Sequence, residues 1–582
     1  MNNITQNRSS QINTGQELEG TNFDLADIDK NFVKGSFREG QREAIEFALN
    51  AYNSGKKIVI IEGPTGSGKT AIGMTIANFF SNSYYVTSSK QLQDQLESEF
   101  DDEISVLKGR NSYPCTFYDR NKVLLKNIIP LDELAAKLRE PPSCDAGFCK
   151  TNAGRAFKIS SSKCKRCFTP EFRGDLKNLS GGNNFSECPY FERAITTSQH
   201  PKAVMNFSSF LFQTNFSQMF GAPRDLVILD ECHNTESQLL DFVGLTINDK
   251  HLKDHGLSLP LYNNAVDYVV WFNDNDVVNL LKLDYEEAKA AEDFKLEAEL
   301  KSLILKLVKF IQDTERDVCE WVSQVTEAKN SISVTFKPVF VKKYVYPYIF
   351  SKGKRVLMMS ATILNANIIC ENLGIDRSDV ATYRMKNRFP VKNRPIYLKT
   401  VGKFTGGKAA MNEWAPRMLE AIEEIAGKYS GKRGIIHTHN FAIHDYIVEW
   451  CGKDLRKRLL SQKHFGSKQA LMEEHERSDD TIIIAPAMHE GVDLKDDLSR
   501  FQVICKIPYA NCFEDLQLKR RVELDRSFYI WSTALKLIQS YGRSIRSETD
   551  YADTFILDES IHKFMTDAKS MLPSWFIEAI VK

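Results

Sequence analysis

The sequence predicts an α/β protein in which two parallel-sheet domains follow one another, with two segments inserted into the first. Its 582 residues exceed what one hydrophobic core supports, so several domains are expected. Short apolar, β-branched runs alternate with amphipathic helical patterns, and this alternation is typical of parallel sheets. The alternation is interrupted over residues 108–190 and again over residues 249–334, which indicates the two insertions.

A phosphate-binding loop follows the first predicted strand, residues 57–61. Its eight residues match G-x-x-x-x-G-K-T and are Gly63, Pro64, Thr65, Gly66, Ser67, Gly68, Lys69 and Thr70. A helical pattern then runs from Ala71 to Phe80, so the motif has the strand–loop–helix context that such loops require. Backbone N–H groups and the helix N-terminus are expected to hold phosphate oxygens. Lys69 would reach the β- and γ-phosphates of ATP, and the Thr70 hydroxyl would bind Mg²⁺.

Polar residues on either side of this unit each allow two interpretations. Gln41, which precedes a predicted helix over residues 42–51, has a donor and an acceptor that could read the adenine edge. A solvated helix start is the plainer alternative. After the next predicted strand, Thr87, Ser88 and Ser89 could hold a nucleic-acid phosphate or cap the following helix.

Half of the twelve cysteines fall within the first interruption, where apolar periodicity is poor. They are Cys115, Cys144, Cys149, Cys164, Cys167 and Cys188. A segment with so little core needs another source of stability. In a reducing compartment a metal is expected rather than disulfides, and four thiolates could hold zinc or an iron–sulfur cluster. Two pairs have ligand-like spacing, Cys144-x₄-Cys149 and Cys164-x-x-Cys167, and spacing alone does not choose between them.

Two acids follow a buried strand that is predicted over residues 226–229. In a chain that has a phosphate loop, Asp230 is expected to hold the Mg²⁺ shell and Glu231 to polarise the water that attacks the γ-phosphate. His233 could link the nucleotide state to the next domain.

The second insertion is predicted to be helical throughout, with an apolar stripe and no chemistry of its own. Beyond it, apolar runs at 355–362, 434–439, 481–485 and 501–505 predict further strands of the two domains. Near the end, Gln539, Arg543 and Arg546 share one face of a predicted helix. From there the two arginines could reach the γ-phosphate across a cleft, although a surface salt bridge would explain either one alone.

Composition and hydropathy limit the binding sites and the cellular location that the sequence predicts. Lys plus Arg and Asp plus Glu both number 76, so any site for a polyanion must be local. Residues 1–20 are polar and are expected to form a disordered tail. No apolar run reaches about 18 residues, so no membrane span is predicted, and a bacterial or infected-cell cytoplasm is the expected location.

Together these motifs resemble the XPD/DinG group of superfamily 2 iron–sulfur DNA helicases. The resemblance extends from Phe37 to Asp558, and its segments are 38–41, the phosphate loop, 87–95, 108–115, 188–191, 230–233, 360–362, 490–493 and 539–546. The cysteines that bracket the first insertion and the final arginine motif are its most specific parts. A compact, bacteriophage-encoded member of the group is one expectation.

The resemblance implies two RecA-like domains that close on ATP, with an iron–sulfur insert and a helical arch closing over single-stranded DNA. It implies ATP-driven translocation with 5′→3′ polarity and unwinding of tailed duplex DNA by a monomer. Cys115 and Cys188 match the outer ligands of a 4Fe-4S cluster. Cys164 and Cys167 are favoured as the inner pair, with Cys144 and Cys149 as the alternative. Asp493 and Gln539 join the nucleotide site.

The implied division has a tail (1–20), a first domain in three parts (21–107, 196–248 and 339–385), the iron–sulfur insert (108–195), the arch (249–338) and the second domain (386–582). Two other functions remain open. One is a translocase, stimulated by single-stranded DNA, that does not separate strands. The other is a zinc-stapled nucleic-acid-binding protein with a vestigial ATPase, against which the intact Lys69, Glu231, Arg543 and Arg546 argue.

Overall fold

The computed structural model describes residues 22–120, 122–127, 129–147, 188–291, 293–328, 331–404, 407–486 and 494–581. Several sequence predictions lie outside these ranges. They concern the tail of residues 1–20 and the side chains of Cys149, Cys164, Cys167 and Asp493.

The strands of the described residues follow the apolar runs of the sequence. They are β1 (Ile58–Glu62), β2 (Ser83–Thr87), β3 (Ser105–Leu107), β4 (Lys202–Asn206), β5 (Arg224–Asp230), β6 (Leu245–Asn248), β7 (Trp321–Ala328), β8 (Ser331–Pro338), β9 (Gly353–Ser360), β10 (Val380–Arg384), β11 (Ile396–Gly402), β12 (Gly434–His437), β13 (Leu459–Ser461), β14 (Ile482–Ala485), β15 (Phe501–Ile504) and β16 (Asp553–Asp558).

Helices connect these strands. In the described residues they are α1 (Ile28–Asn31), α2 (Gln41–Asn53), α3 (Lys69–Ala77), α4 (Lys90–Phe100), α5 (Phe117–Arg120), α6 (Lys122–Leu125), α7 (Leu131–Arg139), α8 (Pro189–Gln199), α9 (Phe207–Phe216), α10 (Thr235–Val243), α11 (Ala265–Asp274), α12 (Val277–Ala290), α13 (Phe294–Glu315), α14 (Lys342–Tyr348), α15 (Ala366–Leu373), α16 (Gly407–Lys428), α17 (Phe441–Trp450), α18 (Lys453–Arg458), α19 (Lys468–Arg477), α20 (Leu516–Leu524), α21 (Arg526–Tyr541), α22 (Ser560–Asp567) and α23 (Ser574–Glu578).

Two parallel sheets confirm the predicted fold class. The first has the order β10-β1-β9-β5-β2-β4-β3, and the second has the order β11-β16-β15-β12-β14-β13. In the first sheet, β9 lies between β1 and β5, with Ser360 opposite Glu62 and Met359 opposite Asp230. The carboxyl ends of these three strands therefore lie side by side, and this edge carries the phosphate loop and the two acids.

A continuous hydrophobic core joins one face of the first sheet to the second inserted segment and to part of the second sheet. Phe210 of α9, Phe310 of α13 and Phe336 of β8 lie in this core together with Trp531 and Ile538 of α21. The two parallel-sheet units are therefore joined through the apolar side chains of the helices and strands in this core. Within the described ranges, no helix has both the length and the apolar character needed to cross a bilayer.

The sequence analysis predicted that the second insertion is helical throughout, and this prediction is wrong. The long apolar stripe does form α11, α12 and α13, but β7 and β8 then form an antiparallel hairpin that pairs with β6. Side chains alternate along β8, where Val334 and Phe336 are fully buried and their neighbours are not. That period of two, in a β-branched run, is the pattern of a half-buried strand, and it outweighs helix propensity.

Candidate active site

The phosphate loop has the backbone shape that holds a phosphate. Gly66 and Gly68 have φ angles of +79° and +77°, a region that side chains rarely adopt. A Cβ at Gly66 would lie 2.6 Å from the carbonyl oxygen of Arg546, and a Cβ at Gly68 would lie 2.2 Å from Nε2 of Gln41. Ser67 Oγ is buried, and it has no hydrogen-bond partner within the described part of the chain. The loop therefore fits a bound phosphate and leaves a donor for it.

The two acids stand at the carboxyl end of β5, next to this loop. Asp230 is 6% exposed and accepts hydrogen bonds from Tyr85 Oη at 3.2 Å and from the Glu231 backbone at 3.0 Å. Glu231 has a φ of +54°, a strained conformation for a non-glycine residue. The turn at Glu231 separates the two carboxylates, so that the first stays buried and the second keeps 27% of its side chain exposed.

Their surroundings move the two pKa values in opposite directions. Burial and the neighbouring charge of Glu231 raise the pKa of Asp230 to about 6. Burial alone would raise the pKa of Glu231 too, but the positive charges of Lys69 and Arg543, its interaction with His233 and the hydrogen bond from Ser360 outweigh burial and lower that pKa. Glu231 is therefore ionised at neutral pH, as a group that accepts a proton from water must be.

A chain of directed hydrogen bonds runs from the second sheet to Glu231. The Gln539 amide nitrogen can only donate, and it lies 2.7 Å from His233 Nε2. His233 Nε2 is therefore the acceptor of this hydrogen bond. The His233 proton is therefore on Nδ1, 2.7 Å from Ser360 Oγ. The Ser360 hydroxyl in turn donates to Glu231 Oε2 at 3.2 Å.

The sequence analysis predicted that Arg543 and Arg546 lie in the same helix as Gln539, and this prediction is wrong. Helix α21 ends at Tyr541, and the Gly542 N–H donates to the Ile538 carbonyl as its cap. Beyond it, the buried Ser544 hydroxyl bonds to Ser499 and to Gln502, which holds the chain against the second sheet instead of in a helix.

Each arginine still reaches the cleft from this loop. The positive charge of Arg543 acts on Glu231, and the backbone carbonyl of Arg546 lies against Gly66. Both line a cavity of about 1310 Å³ between the two sheets, together with Lys69 and the two acids. Lys69 Nζ itself donates to the Gly63 carbonyl at 3.3 Å.

The polar residues that flank the loop have defined partners. Ser89 Oγ accepts from Leu92 N at 3.3 Å and caps α4, so the capping alternative describes this residue. Gln41 is 2% exposed, and its amide donates to the Ser67 and Gly68 carbonyls. Arg38 Nη1 donates to the Gly66 carbonyl at 2.6 Å. These two residues therefore hold the loop from outside.

Two of the predicted thiol ligands are in contact, and a third, Cys115, lies beside Gly147 near the Cys144 backbone. Cys188 Sγ lies 3.7 Å from Cys144 Sγ, and Cys115 Sγ is 2.9 Å from the position of a Cβ on Gly147. The contact between the first two thiols lowers the pKa of Cys188 to about 6 and raises the pKa of Cys144. In the described residues, no group of three or more His, Cys, Asp or Glu side chains has the geometry of a metal site.

Sequence reasoning missed two side chains that position the catalytic groups. Tyr85 lies in the middle of β2, where only its donation to Asp230 distinguishes it from a core residue. Glu62 ends β1, and its carboxylate accepts from the backbone N–H groups of Ile363 and Leu364 at 3.0 and 2.8 Å. That contact holds the loop after Ser360. The continuous burial of these two strands gives no sequence pattern that marks either residue as functional.

Two parts of the chain match known families. Residues 424–579 match the helicase C-terminal domain family, and residues 34–133 match the family of the res subunit of type III restriction enzymes. No curated protein matches the sequence.

Solved structures share the fold across almost the whole chain. A structure of an XPD helicase matches with a TM-score of 0.57 at 12% identity, covering 92% of this chain and 98% of its own. An XPD protein in its apo form gives a TM-score of 0.53 at 12% identity, covering 91% and 98%. An XPD protein from S. tokodaii gives 0.50 at 13% identity, covering 93% and 99%. At these identities the likeness shows the fold.

Proposed function

We propose that this chain, a superfamily 2 helicase of the XPD/DinG type, uses ATP hydrolysis between its two parallel sheets to move along single-stranded DNA with 5′→3′ polarity and to separate the strands of tailed duplexes. The observation that carries the proposal is the hydrogen-bonded chain from Gln539 to Glu231. It joins the catalytic edge of the first sheet to the second, so hydrolysis and the relative position of the sheets are coupled.

The nucleotide would bind across the N-terminus of α3. The triphosphate would lie on the backbone of the loop, with Lys69 on its β- and γ-phosphates and Mg²⁺ held by Thr70 and Asp230. Bound Mg²⁺ would neutralise charge on the phosphate oxygens. Tyr85 would keep Asp230 oriented through the hydrogen bond at 3.2 Å.

Hydrolysis would then depend on groups from both sheets. Glu231 would take a proton from the attacking water while Arg543 stabilises the charge on the γ-phosphate, and Arg546 would contribute from the same loop. Loss of the γ-phosphate removes the charge that draws Arg543 inward, so the second sheet can move away. Repeated closure and opening would shift a grip on the DNA backbone. Such a grip depends on phosphates, so it should weaken with salt and be largely independent of sequence.

The cysteines are proposed to hold a structural 4Fe-4S cluster that shapes the path of the DNA. Cys115 and Cys188 would be its outer ligands. The contact of Cys144 with Cys188 supports Cys144 and Cys149 as the inner pair, over Cys164 and Cys167. The same contact favours zinc as a second candidate, because two thiolates on one tetrahedral zinc ion lie at about this separation. Metal analysis of anaerobically purified protein separates the two.

Strand displacement tests the proposal directly. We expect the protein to open a duplex with a 5′ single-stranded tail, with ATP, and to leave a 3′-tailed duplex intact. ATP turnover that single strands stimulate, with neither duplex opened, would instead favour the translocase. Preference for the 3′ tail would contradict the proposed polarity.

A matched pair of lysine variants shows whether the phosphate loop drives this activity. Lys69→Ala should abolish turnover while DNA binding persists. Lys57→Ala should keep turnover, since Lys57 is exposed at the other end of β1 and pairs with Asp379. If Lys69→Ala retained more than about a tenth of wild-type turnover, the assignment of Lys69 would be wrong.

A further inference from the structure

We infer that this site does not select its nucleobase, and that it hydrolyses purine and pyrimidine nucleoside triphosphates with similar efficiency. The inference rests on the proposed function, since it concerns the substrate of the same site. Its basis is the hydrogen bonding of Gln41, a cavity-lining side chain that has both a donor and an acceptor for a base edge.

The hydrogen-bonding groups of Gln41 are engaged with the protein. Its amide nitrogen has two hydrogens and donates to the Ser67 carbonyl at 3.1 Å and to the Gly68 carbonyl at 3.3 Å. Its oxygen accepts from the Arg38 backbone N–H at 2.8 Å. Gln41 lines the cavity, but it is only 2% exposed and both its amide donors and its oxygen are directed at the protein. Donating to adenine would require at least one of the bonds to the loop to break.

The position of the base follows from the catalytic groups. Lys69, Asp230 and Glu231 mark the γ-phosphate end of the site, so the nucleoside leaves the loop on the opposite side. On that side, Arg38 binds the Gly66 carbonyl, and the ring of Phe389 lies 4.0 Å from a Cβ placed on Gly66. Both residues line the cavity.

An aromatic ring contacts the face of a base rather than its edge, and a guanidinium whose Nη1 is engaged with a backbone carbonyl can stack on that face as well. Every base has such a face, so contacts of this kind tolerate all four. Asn387 also lines the cavity, but its side-chain oxygen accepts from the Phe389 backbone at 2.9 Å. Its remaining donors could meet an acceptor on any base. Gln41 is therefore a positioning residue for the phosphate loop, and the triphosphate carries recognition.

The first test compares ATP, GTP, CTP and UTP as substrates of the full-length protein, with Mg²⁺ and single-stranded DNA, by phosphate release. We expect the four kcat/KM values to agree within about tenfold, whereas a site that reads a base edge rejects analogues by about 10⁴-fold. A preference for ATP over GTP of more than about 100-fold would overturn the inference and leave the helicase proposal intact. Hydrolysis of none of them would overturn both.

The second test asks what Gln41 contacts, with inorganic tripolyphosphate as a competitive inhibitor that has no base. In Gln41→Ala, we expect KM for ATP, KM for GTP and Ki for tripolyphosphate to rise by a common factor of about ten. The ratio of kcat/KM for ATP to that for GTP should not change. A variant that loses activity on ATP alone, with tripolyphosphate binding as in the wild type, would show that Gln41 reads adenine.

Gln41→Glu is a second test variant, which can be used if the alanine variant is poorly folded. Its carboxylate can still accept from the Arg38 backbone but cannot donate to the loop carbonyls. We expect the same common factor as for alanine, in protein whose melting temperature matches the wild type. Unchanged tripolyphosphate binding in that variant would count against the inference.

Discussion

The side-chain amide of Gln539 lies 2.7 Å from Nε2 of His233. This contact joins helix α21, beside the second sheet, to the loop that follows Asp230 and Glu231 on the first sheet. Through Ser360, the same imidazole reaches Glu231, so a shift of the second sheet changes the hydrogen bonding of the proposed general base. Coupling between the sheets therefore has a defined physical route.

Breaking this route should separate ATP hydrolysis from the response to DNA. Gln539→Ala removes one hydrogen bond, and its loss of about 1 kcal/mol corresponds to roughly a fivefold to tenfold change in rate. We expect stimulation of ATP turnover by single-stranded DNA to fall by that factor, as measured by steady-state phosphate release. Gln469→Ala, an exposed glutamine on α19 that bonds to Glu473, is the matched control. Equal stimulation in both variants would contradict the coupling role.

A buried arginine provides a second contact between the sheets. Arg521 of α20 is 1% exposed, donates to Asn372 at 2.7 Å and to Asp525 at 2.9 Å, and lies 3.5 Å from Glu236. Its guanidinium also packs over the rings of Phe340 and Phe528.

Arg521→Met should lower the free energy of unfolding by about 3 kcal/mol, because it leaves the buried Glu236 and the partly buried Asp525 without their partner. Arg520→Met, which removes an exposed pair with Glu320, should cost no more than about 1 kcal/mol. Urea unfolding of both variants measures the difference. Equal stability would mean that the buried pair contributes nothing beyond an exposed one.

Glu236 should make stability depend on pH. Burial raises its pKa to about 7, although Arg521 opposes the shift and Asp525 and Lys342 act on it as well. The folded state thus keeps a proton that the unfolded state loses near pH 4.5, so stability falls as pH rises from about 4.5 to 7.

Glu236→Gln removes this titration, and its melting temperature should change less between pH 5 and pH 7 than that of the wild type. Glu320→Gln, an exposed acid, is the control and should keep the wild-type slope. A wild-type slope in Glu236→Gln would show that this carboxyl is already ionised in the folded protein.

Loss of one cysteine should remove the proposed metal. Cys115→Ser should lose bound iron, or zinc if that is the metal, together with strand separation, while some ATP turnover remains because the nucleotide site is built from other elements. Metal analysis and visible absorption report the first effect. Cys512→Ser is the matched control, since Cys512 lies in the second half of the chain and bonds to Ala510. Metal retained by Cys115→Ser would exclude it as a ligand.

Comparison of Cys144→Ser with Cys164→Ser then identifies the inner pair. The contact between Cys144 and Cys188 predicts that the first variant loses the metal and the second keeps it. The opposite result would restore Cys164 and Cys167 as the inner ligands.

Local signals in the sequence were sufficient to predict the central strands of both parallel sheets and the phosphate loop. The β-branched runs before Gly63 and Asp230 are short and apolar because the strands are buried on both faces. The sequence analysis predicts helix where β7 and β8 form a hairpin, because the period-two pattern of these strands directly follows the long helical stripe. The sequence analysis also predicts a later end for α21 than the structure has. Contacts of Ser544 with Ser499 and Gln502 direct the chain away from the helix, and local patterns do not reveal them because these residues are far apart in sequence.

The local sequence predicts which groups would hold phosphate and which acids would face it, because a strand, a glycine loop and a helix form a local unit whose chemistry depends on neighbouring residues. Only the tertiary structure decided what these groups touch. It places Gln41 beneath the loop, Tyr85 on Asp230 and Gln539 on His233, through pairs separated by 26, 145 and 306 residues. Hydrogen bonds across such separations depend on how the sheets pack, and no local pattern encodes that packing.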